Sequence, residues 1–389
     1  MRPTPPRART ALAALLLASA CGDPARAGEG PSVVARAAPA VAAPTSTHAG
    51  ADVPVGALGD PAATGEVIRA VVVSQVDAGP IDDTAKHARA DQRVTLHAVA
   101  VVQRGRDRVY FSDAPDLRIG GKRIAARPFA EAPGLTLAWA RVEPAAASMS
   151  NTEGGGFRYE AIDYRATAID RATAPALVAD VRPTLTPDHG NGVGTMRYQL
   201  TITQGARAIA SPGAAARRGR GSGGLQDSVH RISIRRDDTY LGWLTELYGQ
   251  PYIWASAGGT DATHQSERLE GSDCADFVTY GARRLGLKVP YSWTGELPQH
   301  TRTLATGQPS DDGIYRDAHG APVRFPAVGD LVLFPRHVGA LVEDRGTIGV
   351  LDEDDIIMHA LFDTPKEVRI ADSGYGGLPI QVLRWPKAR

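Results

Sequence analysis

One cysteine of the chain stands where a thiol can act as a nucleophile. Cys274 begins a predicted helix, and Ser272 or Asp273 can cap its first amides. The helix has one apolar face, because apolar or small residues recur at helical spacing at Cys274, Phe277, Val278, Gly281 and Leu285. The helix dipole and the unpaired amides at this end favour a thiolate, the form of cysteine that attacks a carbonyl carbon. A buried, unreactive cysteine that packs as a small apolar side chain is the alternative.

A cysteine nucleophile needs an imidazole within hydrogen-bond reach and a third group that orients the imidazole. The chain has ten histidines, and two of them, His337 and His359, lie on predicted strands that follow Cys274. By the two-residue period of a strand, each shares a face with apolar residues. A single such histidine is more typical of a satisfied core residue. Two of them, downstream of a thiol at a helix start, indicate a catalytic site.

The elements that would position these residues begin near Asp237. A helix is predicted over 239–248 and ends at Gly249, and the Cys274 helix ends at Gly286. Strands are predicted after it at 331–334, 338–342, 348–351, 356–362, 368–370 and 380–383. A helix followed by an antiparallel sheet indicates an α+β domain over 237–389.

The preceding region, 64–236, is predicted to be an all-β, sandwich-like domain, because short strands alternate with turn residues. The predicted strands are 67–73, 94–102, 108–111, 135–142, 159–169, 196–203 and 230–235. A loop over 211–226 carries Arg217, Arg218 and Arg220. We interpret these arginines as solvated, with contact to a polyanion as the alternative.

The first residues predict export. A basic start and a short apolar run over Ala11–Ala20, too short to span a bilayer, precede Cys21. Residues 1–20 resemble a bacterial lipoprotein signal, after which Cys21 would carry the lipid; a plain secretory signal is the alternative. Residues 21–63 are rich in Ala, Pro and Gly and are predicted to form a disordered tether. A disulfide between Cys21 and Cys274 is a competing interpretation in an oxidising compartment.

Composition narrows the function classes. The formal net charge is zero, so nothing favours nucleic acid or an anionic membrane surface as a partner. Neither a Cys-x-x-Cys nor a His-Glu-x-x-His motif occurs, so neither zinc signature is present. We predict no metal and no organic cofactor.

A set of short motifs from Pro251 onward makes a family resemblance specific. In chain order they are Pro251-Tyr252-Ile253-Trp254, Asp273-Cys274, Gly329-Asp330-Leu331-Val332-Leu333-Phe334, His337-Val338-Gly339 and Met358-His359-Ala360. Over about 237–389 the set resembles the NlpC/p60 family, papain-like cysteine peptidases of bacterial cell walls. The resemblance does not extend to the β region.

The resemblance implies a papain-like fold, in which the helix bearing Cys274 packs on an antiparallel sheet. It implies that Cys274 is the nucleophile, His337 the general base and acid, and His359 the polar third residue. Tyr252 corresponds to a tyrosine whose hydroxyl approaches the cysteine, or to an aromatic ring packed beneath the site. Asp273 corresponds to a residue that meets the free amine of a stem peptide, or serves only as a helix cap.

The activity that the resemblance implies is amide hydrolysis in peptidoglycan stem peptides, of the γ-D-glutamyl-diamino acid endopeptidase type. Helix-start amides would hold the oxyanion. The protein would be periplasmic and anchored by lipid to the outer membrane. A thiol acyltransferase or lipid-acting relative, and an inactive wall-binding lipoprotein, are the alternatives.

Two departures from the family pattern bear on the substrate. Ala275, Asp276 and Phe277 follow the cysteine, where the family usually has Ser-Gly-Leu. The stretch 255–271 is longer than is typical and is a candidate lid.

Overall fold

A computed structural model describes residues 65–132, 134–153, 156–219 and 223–387. The predicted signal 1–20, Cys21 and the tether 21–63 lie outside the described residues. Within these ranges the chain is mostly β, with three short α-helices: α1 Tyr240–Leu244, α2 Cys274–Arg284 and α3 Leu297–His300. Single turns of 3-10 helix lie at Phe129–Glu131, Thr245–Leu247, Asp261–Thr263, Thr294–Glu296 and Ile370–Asp372. No helix in the described part of the chain has the length and apolarity needed to cross a membrane.

The strands form two groups. Those of the β region are β1 Glu66–Val76, β2 Lys86–Arg89, β3 Val94–Arg104, β4 Asp107–Phe111, β5 Arg118–Ile119, β6 Lys122–Arg123, β7 Ala126–Arg127, β8 Leu135–Pro144, β9 Ser148–Ser150, β10 Thr152–Glu153, β11 Gly156–Phe157, β12 Tyr164–Ala168, β13 Ala176–Val178, β14 Gly194–Gln204, β15 Arg207–Ala210 and β16 His230–Arg235. Those of the C-terminal region are β17 Tyr252–Trp254, β18 Arg302–Pro309, β19 Tyr315–Arg316, β20 Leu331–Leu333, β21 Val338–Glu343, β22 Ile356–His359, β23 Lys366–Arg369 and β24 Ile380–Arg384.

Two sheets enclose the main core of the β region. In one, β1, β3, β4 and β7 are neighbours in that order, and β13 pairs with β3. In the other the order is β12, β8, β14, β16, β2, and β15 pairs with β14. Both sheets contribute to one buried cluster, which includes Val72, Leu96, Trp139, Leu200 and Ile232. A second cluster covers the opposite face of β1 and β3, so these strands are apolar almost throughout rather than alternating.

The C-terminal region is built on a curled seven-stranded antiparallel sheet with the order β19, β18, β24, β20, β21, β22, β23. Helix α2 lies against β21 and β22. Side chains alternate between the two faces of the sheet. Leu331, Val338 and Met358 pack with α2. Val332, Leu341 and Ile357 belong to a separate cluster on the other face.

Most predicted strands are confirmed, and the exceptions have physical reasons. The strand predicted at 348–351 is absent, and Ile348 is 76% exposed. The strand predicted over 159–169 forms only at β12, because residues 159–163 have no regular secondary structure. The helix predicted over 239–248 is α1, which ends at Leu244 and continues as a 3-10 turn. Strand β18 was not predicted, since its sequence, with Gly307 and Pro309, lacks the apolar alternation of a strand.

The β region and the C-terminal region are joined by direct contacts. Strand β9 pairs in parallel with β17. Asn151 Nδ2 donates to Gln265 Oε1 at 2.7 Å, and Arg197 Nη2 donates to the Leu269 carbonyl at 2.9 Å. The stretch 255–271 is therefore tied to the β region over much of its length. Its second half is largely buried, whereas residues 259–262 are exposed.

The arginine loop is also more ordered than the sequence predicts. Arg218 has a side chain only 15% exposed, and it lies 2.7 Å from Asp227 Oδ1 and 3.3 Å from Glu270 Oε1. Arg217 Nη1 donates to the Ile162 carbonyl at 3.0 Å. The interpretation of Arg218 as solvated is wrong, because its side chain is largely buried, whereas Arg217 is 41% exposed and agrees with it. Arg220 lies outside the described residues.

Candidate active site

Cys274 is the first residue of α2, as predicted, and only 2% of its surface is exposed. The helix starts here because Asp273 has extended backbone and its Oδ1 accepts from the amides of Ala275 and Asp276, both at 3.0 Å. Gly271 lets the backbone before the helix pass close to Pro251, since a Cβ at this position would lie 2.5 Å from the Pro251 carbonyl oxygen. The thiol is thus placed at the positive end of a capped helix.

The predicted apolar face of α2 is confirmed for its first part. Phe277 and Val278 are fully buried, whereas Leu285 is 39% exposed and caps the helix end instead of packing inward. Gly286 follows with φ 89°, the left-handed conformation that ends many helices. The buried face holds the first turn of α2, and with it Cys274, against the sheet.

The two predicted histidines contact each other. His337 immediately precedes β21 and His359 ends β22, so both lie at the same end of these paired antiparallel strands. His337 Nε2 and His359 Nδ1 are 2.7 Å apart, and the two residues are 0% and 2% exposed. One nitrogen donates and the other accepts, so His359 fixes the orientation of the His337 ring.

Two aromatic rings enclose the His337 imidazole. Tyr375 stacks on it with ring centroids 4.6 Å apart, and the Phe334 ring lies nearly parallel at 6.1 Å. Burial holds the pKa of His337 well below its usual 6.5, with a smaller contribution from His359. Burial likewise lowers the pKa of His359 to about 4. Both imidazoles are therefore neutral at pH 7. The sequence did not point to Tyr375, which stands in a glycine-rich turn with no motif around it.

The thiol and the histidine pair are carried by elements that pack together, since α2 lies against β21 and β22. Cys274 shares a hydrophobic cluster with Val338 and Met358, the chain neighbours of His337 and His359. His337 Nδ1 is buried and has no hydrogen-bond partner in the described structure. The pairing of the thiol with the His337 imidazole stays a prediction from the sequence. Catalytic hydrogen bonds are often long without substrate and tighten in the complex.

Asp273 performs the capping role that the sequence left as one of its two alternatives. Both helix-start hydrogen bonds end on its Oδ1, so the amides of Ala275 and Asp276 are already engaged. The prediction that helix-start amides hold the oxyanion stays a prediction, although these two amides already donate to Asp273. Burial raises the pKa of Asp273 to about 6, although the amides of Asp276 and Ala275 oppose the shift.

Asp276 belongs to a buried polar cluster that the sequence did not predict. Ser256 Oγ donates to Asp276 Oδ2, and His264 Nε2 lies 3.4 Å from the same oxygen. Burial and the charge of Asp273 raise the pKa of Asp276 well above its usual range. His264 accepts the Ser266 amide at Nδ1, stacks on Tyr291, and has a pKa lowered by burial to about 3. The carboxyl group after the cysteine thus ties the 255–271 stretch to α2.

Tyr252 lies in β17 and is 1% exposed. It belongs to the hydrophobic cluster that contains Cys274, and its backbone forms an isolated parallel β-bridge with Ser272, two residues before the cysteine. Its ring meets Phe362 edge-on with centroids 5.2 Å apart. Tyr252 is therefore packed beside the start of α2, while Phe362, 62% exposed, forms the outer surface over it.

Comparisons with protein-family models, with curated proteins and with solved structures found no match to this chain. Within the described ranges, no cluster of three or more His, Cys, Asp or Glu side chains has a geometry that would hold a metal ion. The resemblance to NlpC/p60 peptidases and the papain-like assignment therefore remain predictions from the motifs. The layering of α2 on an antiparallel sheet is shared by many α+β proteins.

Proposed function

We propose that the chain is a cysteine-dependent amide hydrolase that acts on stem peptides of the bacterial cell wall. The observation that carries the proposal is the His337–His359 contact of 2.7 Å, which engages one nitrogen of His337 and leaves Nδ1 without a protein partner. An imidazole oriented on one side and available on the other is what a general base requires. The position of Cys274 at a helix start beside the same strands supports its role as nucleophile.

The reaction begins from a neutral pair, because burial keeps His337 uncharged. For Nδ1 to act as a base, the His337 Nε2–H must donate to His359 Nδ1. As the Cys274 sulfur forms a bond to the amide carbon, its proton passes to His337 Nδ1. The C–N bond breaks when His337 returns this proton to the leaving amine. Water, deprotonated by His337, then cleaves the thioester and releases the acid and the thiol.

Substrate must reach a cysteine that is 2% exposed. Phe362 is the exposed side chain above Tyr252, so rotation of its ring is the movement that would open the site. With the Ala275 and Asp276 amides engaged by Asp273, oxyanion stabilisation must come from other donors. We assign this role to the Tyr252 hydroxyl, which the family resemblance places near the cysteine.

The test is mass analysis of muropeptides after incubation with the full-length chain, with Cys274→Ala as the matched control. We expect stem peptides to be split with the addition of one water, and the control to leave them intact. Unchanged muropeptides with the parent chain, under conditions in which Cys274 reacts with iodoacetamide, would rule out this substrate class.

A thiol acyltransferase is a second candidate, and the exposed ring of Phe362 favours it. An apolar side chain at the edge of the site suits an acyl chain better than a peptide. Incubation with a fatty-acyl thioester separates the two activities. Acylation of an added amine, without cleavage of stem peptides, would support the acyltransferase.

A further inference from the structure

The turn that follows His359 is held by the β region. Thr364 Oγ1 donates to the Pro187 carbonyl at 3.4 Å, and His189 Nε2 lies 3.2 Å from Asp363 Oδ2. Further along, Arg236 Nη2 donates to Glu367 Oε1 at 2.6 Å. Three contacts thus reach from the β region to the short segment 363–367.

This segment is next to His359. In the β22–β23 pair, Lys366 stands directly opposite His359, and Lys366 Nζ donates to Asp363 Oδ2 at 2.8 Å. His189, Asp363 and Lys366 therefore form one connected group, which we call the clamp. Besides burial, the charge of Lys366 lowers the pKa of His359 and the charge of Asp363 raises it.

The backbone of the turn indicates that its conformation is imposed. Phe362 has φ 50°, a left-handed conformation that is rare for an aromatic residue. Such a conformation costs free energy and persists only where surrounding contacts maintain it. Thr364 and Asp363, the next two residues, supply those contacts through their bonds to the β region.

We propose that His189 is a positioning residue: by binding Asp363 it fixes the turn after His359, and so makes the β region a structural part of the active site. This inference rests on the proposed function, because it assigns His189 a role in orienting the imidazole pair. His189 does not touch the reacting atoms and acts only through the clamp. The geometry of His359 then depends on the β region.

Two variants of the full-length chain test the inference. In His189→Gln the side-chain amide nitrogen takes the place of Nε2 and can still donate to Asp363. In His189→Asn the amide is too short to reach, although the residue stays polar. We expect His189→Asn to lower kcat for stem-peptide cleavage about tenfold with KM little changed, because small misplacements of catalytic groups are costly. His189→Gln should stay within about threefold of the parent. His319→Ala, at an exposed histidine in a distant loop, is the control.

The rate of Cys274 alkylation at pH 6 is the second readout, since it depends on His337 and needs no substrate. We expect it to fall in His189→Asn and to recover in His189→Gln. Equal alkylation rates in the two variants, at any level, would overturn the inference. If stem peptides are not cleaved by the parent but the two variants differ in alkylation, the proposed function fails and the positioning role stands.

Discussion

The hydrogen bond between His337 and His359 gives the sharpest test of the site. It joins two fully buried rings at 2.7 Å. In the proposed reaction His337 gains a positive charge, and a hydrogen bond to a charged group contributes about 1.5–3 kcal/mol. Since about 1.4 kcal/mol corresponds to a tenfold change in rate, His359→Ala should lower kcat by about 10- to 150-fold. His359→Asn places its carbonyl oxygen near the position of Nδ1 and should lose less than about tenfold.

The assay is the initial rate of stem-peptide cleavage, with folding followed by circular dichroism and thermal unfolding. Ile357→Val is the matched control, because Ile357 lies two residues away on the same strand and is fully buried. That change should cost about 1 kcal/mol of stability and leave kcat unchanged. If His359→Ala folds normally and cleaves at the parental rate, His359 is a core histidine. The orienting group would then have to be sought elsewhere, first at His300.

Four further predictions follow from the environments of single residues. Because Cys274 begins a capped helix, whose dipole favours the thiolate, iodoacetamide should alkylate Cys274 below pH 6.5; a rate that rises only near the ordinary thiol pKa of about 8.5 would contradict this. Tyr375→Ala exposes the His337 imidazole and should raise its pKa, so the fall of the Cys274 alkylation rate in acid should move to higher pH. Tyr375→Phe keeps the stacked ring and should leave the pH profile unchanged; identical profiles for the two variants would show that stacking is irrelevant. The pKa of Asp273 is about 6 in the folded state against a usual 3.8, so the folded state binds this proton more tightly and the parent loses stability as pH rises from about 4 to 6. Asp273→Asn keeps the helix cap and should remove this dependence of stability on pH. Urea unfolding that gives the same pH dependence for both chains would refute the prediction. Cys21→Ser should move the protein from the membrane fraction to the soluble fraction, and an unchanged distribution would exclude the lipid anchor.

Local patterns in the sequence predicted the parts of the site that local chemistry determines. The helix start at Cys274 follows from Asp273 as a cap and from the apolar spacing behind it, and both are present. His337 and His359 were paired on the assumption that their strands are neighbours, and β21 and β22 do pair. A period of two in each strand and a period near four in the helix carry this information directly.

The remainder depends on contacts between residues far apart in the chain. Nothing near Tyr375 in the sequence indicates that its ring stacks on His337. His189 and Asp363 come from different regions, and neither has a motif around it. Strand β18 forms because β24 and β19 flank it, although its own sequence is a poor strand former. The capping of α2 by Asp273 was predicted. Its engagement of the Ala275 and Asp276 amides, which could otherwise bind an oxyanion, was not predicted, because it depends on the position of Asp273 Oδ1.

The titratable groups around Cys274 share one property, which determines how the site can work. Burial lowers the pKa values of His337 and His359 and raises that of Asp276, so each is driven toward its uncharged form at neutral pH. In these buried surroundings, a reaction that creates charge gains little from an ion pair formed before the substrate binds. It depends on groups already oriented toward the charge when it appears, here the dipole of α2 at Cys274 and the acceptor nitrogen of His359.

The surrounding structure must therefore hold these groups in the right orientation. The rings of Phe334 and Tyr375 supply it for His337, and the clamp supplies it for His359. On this reasoning, changes that loosen these contacts should affect kcat more than KM, even though none of them touches the thiol.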